Sequence, residues 1–199
     1  MTPAYCKLVI CPHCGSKKEI IQLMSGNTFG AVLWSDTKQV APMLPKASPI
    51  QKCPTCNHYF LLNEAKSEEG NSYSFEKGWL SFEESLAAFN ELNNYEAERL
   101  ELLTIIITWA YNDIVRNNNT PSEKQFQLFK NVLSSNLQYP IFKDNELFRG
   151  ELYREIGEYE KSVNILNEYN PENDFLAGIK KDIINNAKNH NNSVFIIER

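Results

Sequence analysis

The spacing of apolar positions changes once along this chain. Up to residue 66 apolar residues come in short runs between turn formers. Lys7-Leu8-Val9-Ile10, Glu19-Ile20-Ile21-Gln22-Leu23 and Tyr59-Phe60-Leu61-Leu62 read as strands. Phe29–Trp34 and Lys38–Met43 flank the turn-rich Ser35-Asp36-Thr37 and predict a hairpin. Pro42, Pro45 and Pro49 keep the return segment stiff and non-helical. Ser67-Glu68-Glu69-Gly70-Asn71-Ser72, polar and glycine-containing, reads as a linker.

Beyond it the period is helical. Ser81 and Glu84 make a capping box ahead of Phe82, Leu86 and Phe89. A long helix spans roughly Glu96 to Arg116. Leu100, Leu103, Ile107 and Ile114 lie on one side of it, Leu102, Ile106 and Trp109 on another, so it is expected to be central and buried. Thr120-Pro121-Ser122-Glu123 predicts the next start, with Thr120 as cap, Pro121 at the first position and Glu123 closing the box. Phe126, Phe129 and Leu133 form that helix's stripe, and Pro140 ends it. Further helices are expected over Asp144–Ile156, around Tyr159, Val163 and Leu166, and around Leu176, Ile179 and Ile183. The apolar Val194-Phe195-Ile196-Ile197 suits an extended segment docked on the body. The fold class is therefore α+β: a small antiparallel β domain over residues 1–66, then an all-α domain over 67–199.

The cysteines add chemistry to this pattern. Cys11-Pro12-His13-Cys14-Gly15 and Cys53-Pro54-Thr55-Cys56-Asn57 are two C-P-x-C turns. Two intervening residues let a tight turn aim both sulfurs at one ion. Proline sets φ for such a turn, and Gly15 and Asn57 tolerate the left-handed backbone that follows. Cys11, Cys14, Cys53 and Cys56 together read as one four-thiolate structural zinc site. The 38 residues from Gly15 to Lys52 then hold an enlarged central hairpin. Four thiolates also suit iron; disulfides would need an oxidising compartment. Cys6, outside the motif, suits a small core position. Four thiolates close the coordination sphere, whereas catalytic zinc keeps a position for water or substrate. His13 and His58 read as surface or packing residues rather than substitute ligands.

Charge separates the two parts. Residues 1–66 carry seven lysines against Glu19, Asp36 and Glu64, a net of +4, while residues 67–199 carry 13 basic and 22 acidic side chains, a net of −9. Of the 199 residues 42% are hydrophobic and 12% aromatic, enough for a packed core. The run Leu102–Tyr111 is about half the length a membrane crossing needs, and Met1 to Cys6 do not form a signal peptide. A soluble, cytoplasmic protein is the expectation.

One segment resembles a tetratricopeptide repeat. In Glu146–Val163, Gly150 and Tyr153 take the small and aromatic positions of the first helix. Gly157 and Tyr159 mark the turn, and Ser162 takes the small position where the second helix crosses the first. Tyr169 stands where the repeat prefers alanine, and no second copy is clear in residues 81–140, so the domain reads as a helical bundle with one repeat-like pair. The knuckles resemble the zinc-ribbon group. The whole arrangement is similar to uncharacterised bacterial proteins that join a CPxCG-type zinc ribbon to a tetratricopeptide-like tail. That resemblance implies binding of a protein or peptide and supplies no activity.

No Gly-rich phosphate loop, G-x-S-x-G elbow or H-E-x-x-H is present, and no enzyme is expected. Asp113 and Arg116, i and i+3 on the long helix, are expected to pair; with Trp109 they also define a possible ligand groove. Nucleic acid is the alternative partner. Phe29, Trp34 and Met43 with Lys38 and Lys46 would supply the aromatic and basic groups of a single-strand platform, although a sheet this small usually consumes its aromatics in packing.

Overall fold

A computed structural model describes residues 5–22, 26–44, 46–70 and 79–198. The expectations placed on Leu23, Pro45, Asn71, Ser72 and the Cys6 side chain lie outside the described residues. The chain forms two compact units, one of residues 1–31 and 40–93, the other of residues 32–39 and 94–199. The shift in composition falls at residue 66/67, whereas the compact units part at residue 93/94.

The first unit is built from β-hairpins whose turns are the knuckles. β1 (Tyr5–Ile10) and β2 (Lys17–Gln22) run antiparallel, with Ile10 opposite Lys17, and the six residues Cys11–Ser16 join them. β5 (Ile50–Lys52) and β6 (Tyr59–Leu61) repeat the plan, with Lys52 opposite Tyr59 and Cys53–His58 between them. β7 (Ser67–Glu69) pairs with the other edge of β1, Val9 facing Ser67, giving the order β2-β1-β7. Residues 67–69, read from the sequence as the start of a linker, are therefore a strand. All three β7 residues are exposed, and an edge strand whose backbone bonds do the pairing needs no apolar alternation to announce it.

α1 (Phe82–Leu92) closes the first unit and packs on β6. Ser81 and Glu84 form the expected capping box. Phe82 and Ala88 are buried, as are Ile50, Tyr59, Phe60 and Leu61 of the second hairpin. A second cluster holds Val9, Ile20 and Phe60 together with Cys11 and Cys53. Two buried members of that cluster are thiols.

β3 (Val32–Leu33) and β4 (Gln39–Val40) are the central hairpin, shorter than expected, with Thr37 at φ 70 in its turn. In place of one small sheet with an enlarged central hairpin, the described residues form three small sheets, and the hairpin tip belongs to the helical unit. Asp36 and Lys38 at its tip find partners on the helix Ala97–Arg116, and Ser35 exchanges hydrogen bonds with the Phe195 backbone.

The helical unit centres on α2 (Ala97–Arg116), which buries Leu100, Leu103, Ile106 and Ile107. α3 (Glu123–Asn136) packs on it through Phe129 and Leu133, with Phe129 stacked on Tyr111 at 4.0 Å between ring centroids. The cap of α3 is Ser122, boxed with Gln125, rather than Thr120 with Glu123. Pro121 favours an extended residue before it, and the second of two competing boxes wins. A 3-10 turn at Pro140–Phe142 follows, then α4 (Glu146–Glu155), α5 (Tyr159–Glu168) and α6 (Asp174–Lys188).

α4 and α5 form a tight antiparallel pair. Gly157, at φ 78, makes the turn, and Gly150 faces Leu166 so closely that any Cβ would overlap it. The tail is extended as expected. Ile196 bridges to Trp34, the Ile197 N–H donates to the Leu33 carbonyl at 2.9 Å, and Ile197 packs with Leu166, Ile179 and Ile183. No helix among the described residues is long and apolar enough to cross a membrane.

Candidate metal centre

The two knuckles have the same backbone hydrogen bonds. The Gly15 N–H donates to the Cys11 carbonyl and the Asn57 N–H to the Cys53 carbonyl, both at 2.9 Å. The Cys11 N–H donates to the Ser16 carbonyl at 2.8 Å and the Cys53 N–H to the His58 carbonyl at 2.9 Å. Gly15 and Asn57 hold φ of 74 and 61, the left-handed conformation expected of each. One knuckle is therefore a structural copy of the other.

This geometry brings the four predicted sulfurs together. All four Sγ atoms lie within 4.8 Å of one another. Cys11 Sγ is 3.7 Å from Cys56 Sγ, and Cys14 Sγ is 3.6 Å from Cys53 Sγ. A tetrahedron with metal–sulfur bonds of about 2.3 Å has edges of about 3.8 Å, so the spacing fits an ion at the centre. Disulfide sulfurs would stand about 2.0 Å apart, and all four cysteines are free.

The surroundings favour thiolate. Ser16 Oγ lies 3.0 Å from Cys53 Sγ and 3.2 Å from Cys14 Sγ, and the N–H groups of Thr55 and Cys56 approach Cys53 Sγ at 3.4 and 3.5 Å. Burial works against ionising Cys53, but these hydrogen bonds outweigh it and bring the thiol down to about 5. Cys14 is lowered too, chiefly by Ser16. At Cys56 the His58 N–H favours the thiolate, yet burial and the three neighbouring thiols push it up to about 12. Sulfurs this close cannot all carry charge unaided. A metal ion between them would offset that charge, and the four-sulfur donor set is compatible with one.

His13 and His58 are exposed and lie outside the sulfur cluster, as expected of surface residues. Their rings stack at 4.7 Å between centroids, and His58 Nδ1 donates to Glu91 Oε1 at 2.8 Å. Sequence reasoning missed Ser16 and Glu91. A serine two residues beyond Cys14 is too common to signal a role, and Glu91 comes from α1, far along the chain.

The other polar candidates lie in the helical unit. Asp113 and Arg116 pair at 2.9 Å, as their spacing predicts. Their remaining capacity goes to the hairpin tip. Arg116 also pairs with Asp36, Lys38 Nζ reaches Asp113 at 2.6 Å, and Trp109 Nε1 donates to the Asp36 carbonyl at 3.0 Å. The groups expected to line a ligand groove therefore hold residues 36–38 of this chain. Burial pushes the Asp36 carboxyl up, with Arg116 the chief opposing pull.

Asn112 Nδ2 joins this cluster to α4, donating to Asp36 Oδ2 at 2.9 Å and Glu155 Oε2 at 3.0 Å. Beside it Arg154 grips Glu151 through two bonds of 2.8 and 2.5 Å. It also donates to the carbonyls of Asn191 and Ser193 at 2.6 and 3.0 Å, which pins the tail. Glu151, Arg154 and Glu155 are all buried.

No protein-family model, curated protein or solved structure matches this chain.

Proposed function

We propose that the chain is a non-catalytic, zinc-stapled interaction protein: a zinc ribbon, clamped by Cys11, Cys14, Cys53 and Cys56, joined to a tetratricopeptide-like helical unit that binds a protein or peptide. The observation that carries the zinc reading is the four-sulfur cluster with 3.6 and 3.7 Å edges. It is supported by an apolar core in which Cys11 and Cys53 are themselves buried members. In a small β unit whose buried cluster includes two thiols, metal-binding free energy is folding free energy. With four protein sulfurs no coordination position is left for substrate, so the metal is structural rather than catalytic.

The interaction reading is supported by the helical unit. The α4–α5 pair has glycine at its crossing and a buried serine at position 162, the features of the repeat it resembles. Side chains of α2 already grip a tight turn of this chain, Asp36–Lys38, through a backbone carbonyl as well as side-chain groups, a mode of contact open to a polypeptide partner. Nucleic acid is the second reading. It is favoured by the net +4 of residues 1–66 and by Phe29, which is 85% exposed. It is weakened because Lys38 is tied to Asp113 and Trp34 lies under Arg116, 5.1 Å from the guanidinium.

Titration with single-stranded RNA and DNA at low salt separates the two. Phosphate binding releases counterions and weakens steeply with salt. No binding at low salt, together with direct binding of a purified protein partner recovered from native cells, is the result expected. Salt-sensitive nucleic-acid binding lost on Lys→Ala changes in residues 1–66 would overturn it.

A further inference from the structure

We propose that His13, His58 and Glu91 form a second metal site, one that takes a divalent transition-metal ion and leaves coordination positions open. One ligand atom from each of the three residues lies within 4.8 Å of the other two. Two imidazoles and a carboxylate are a donor set that suits zinc and its neighbours in the transition series, and three protein ligands leave room for water or an incoming ligand. This extends the zinc reading, since the knuckles that carry both histidines are the ones the four sulfurs clamp.

The arrangement is more than three polar side chains that happen to be near. His13 projects from the first knuckle and His58 ends the second, so the same fold that gathers the sulfurs brings the imidazoles into register, with rings 4.7 Å apart and 20° from parallel. Glu91 reaches them from the last turn of α1, where its Oε1 accepts from His58 Nδ1 at 2.8 Å and from the Tyr59 backbone N–H at 3.3 Å. The Tyr59 N–H, by donating to the Glu91 carboxylate, would hold it in orientation for a metal ion. A cation entering between Glu91 and His58 takes the place of the Nδ1 proton they share; that proton is released to solvent, and the ring ligates as a neutral imidazole with its proton on Nε2. Ligand atoms around one ion at bonds of about 2.0–2.1 Å stand about 3.3 Å apart, so the three side chains must draw together. All three are exposed, which leaves their side chains room to move.

The two sites differ in kind. The sulfur site is closed and set among Val9, Ile20 and Phe60. The histidine site faces solvent, has fewer protein ligands and is expected to exchange its ion readily. Its occupancy would follow free metal concentration while the sulfur site stays filled.

Cobalt(II) titration of the full chain, followed by absorption and by NMR of the histidine ring protons, distinguishes the sites. Thiolate–cobalt charge-transfer bands report the sulfur site alone; paramagnetic shifts of the His13 and His58 rings that continue after those bands saturate report the second. The expected result is a second, weaker equivalent whose affinity falls at least about tenfold in each of His13→Asn and Glu91→Gln, with the charge-transfer titration unchanged. A single equivalent, or a second one indifferent to both substitutions, would overturn the proposal. Absence of the charge-transfer bands would instead contradict the sulfur site, and the ring shifts would still decide this one.

Discussion

A methyl group placed on Gly150 would stand 2.6 Å from Cγ of Leu166, so α4 and α5 lie this near each other only because residue 150 has no side chain. Leu166 is fully buried and has little room to yield. Gly150→Ala is expected to destabilise the helical unit by about 1–3 kcal/mol through overpacking. Gly178 on α6 is the control: a Cβ there meets nothing within 4 Å, and Gly178→Ala should add up to about 1 kcal/mol of helix propensity. Chemical denaturation of both variants tests this, and equal effects would contradict the packing.

Glu155 gives a pH dependence. Burial first, and then the negative charges of Glu151 and Asp36, raise its carboxyl well above the ordinary range against the pull of Arg154 and Asn112. Between the unfolded value of about 4.3 and that raised value, the folded chain holds a proton the unfolded chain has released. This group's contribution to stability is therefore present at acid pH and lost as pH rises, at up to about 1.4 kcal/mol per pH unit. Glu155→Gln, which keeps the shape without the charge, should match the native chain near pH 4.5 and exceed it at pH 8. Denaturation curves at the two pH values check it; a difference that does not grow with pH would refute it.

Arg154 couples α4 to the tail. Arg154→Leu leaves the Glu151 carboxylate buried without its partner and frees the carbonyls of Asn191 and Ser193. A loss of about 3–5 kcal/mol is expected. The double variant Arg154→Leu/Glu151→Leu should recover part of it, because no unpaired charge then remains. A double variant no more stable than the single one would show that the tail contacts, not the ion pair, dominate.

These residues also show what the sequence reveals and what it conceals. The C-P-x-C turns, the Ser81–Glu84 box and the turn at Gly157 are each set by a few neighbouring residues, so their signals are local and legible. The Asp113–Arg116 pair is legible for the same reason. Its link to Asp36, 80 residues earlier in the chain, is not. The buried ionisable residues Glu151, Arg154 and Glu155 look like an ordinary solvated helix face until Asn112 and the tail meet them. β7 is hidden because an exposed edge strand needs only backbone partners. The cluster of four cysteines is legible because the spacing of thiols within a turn is local; the contacts of Ser16 and Glu91 are not, because they exist only once the hairpins fold.

The matched knuckles yield a fourth prediction. Asn57 occupies a left-handed conformation at φ 61, where the equivalent residue of the other knuckle is glycine. Asn57→Gly should be tolerated with little change in stability or metal affinity, whereas Asn57→Val, β-branched and disfavoured at positive φ, should cost about 1–2 kcal/mol. Competition of each variant with a metal chelator measures this. Equal affinities for the two would show that the turn does not hold the sulfurs in place.

Metal content of the purified chain tests the central claim most directly, measured alongside the amide spectrum of residues 1–31 and 40–93. One tightly held zinc per chain is expected, with Cys11→Ser or Cys53→Ser abolishing it and unfolding that unit while α2 to α6 stay folded. A chain with no stoichiometric metal and a fully ordered first unit would contradict it.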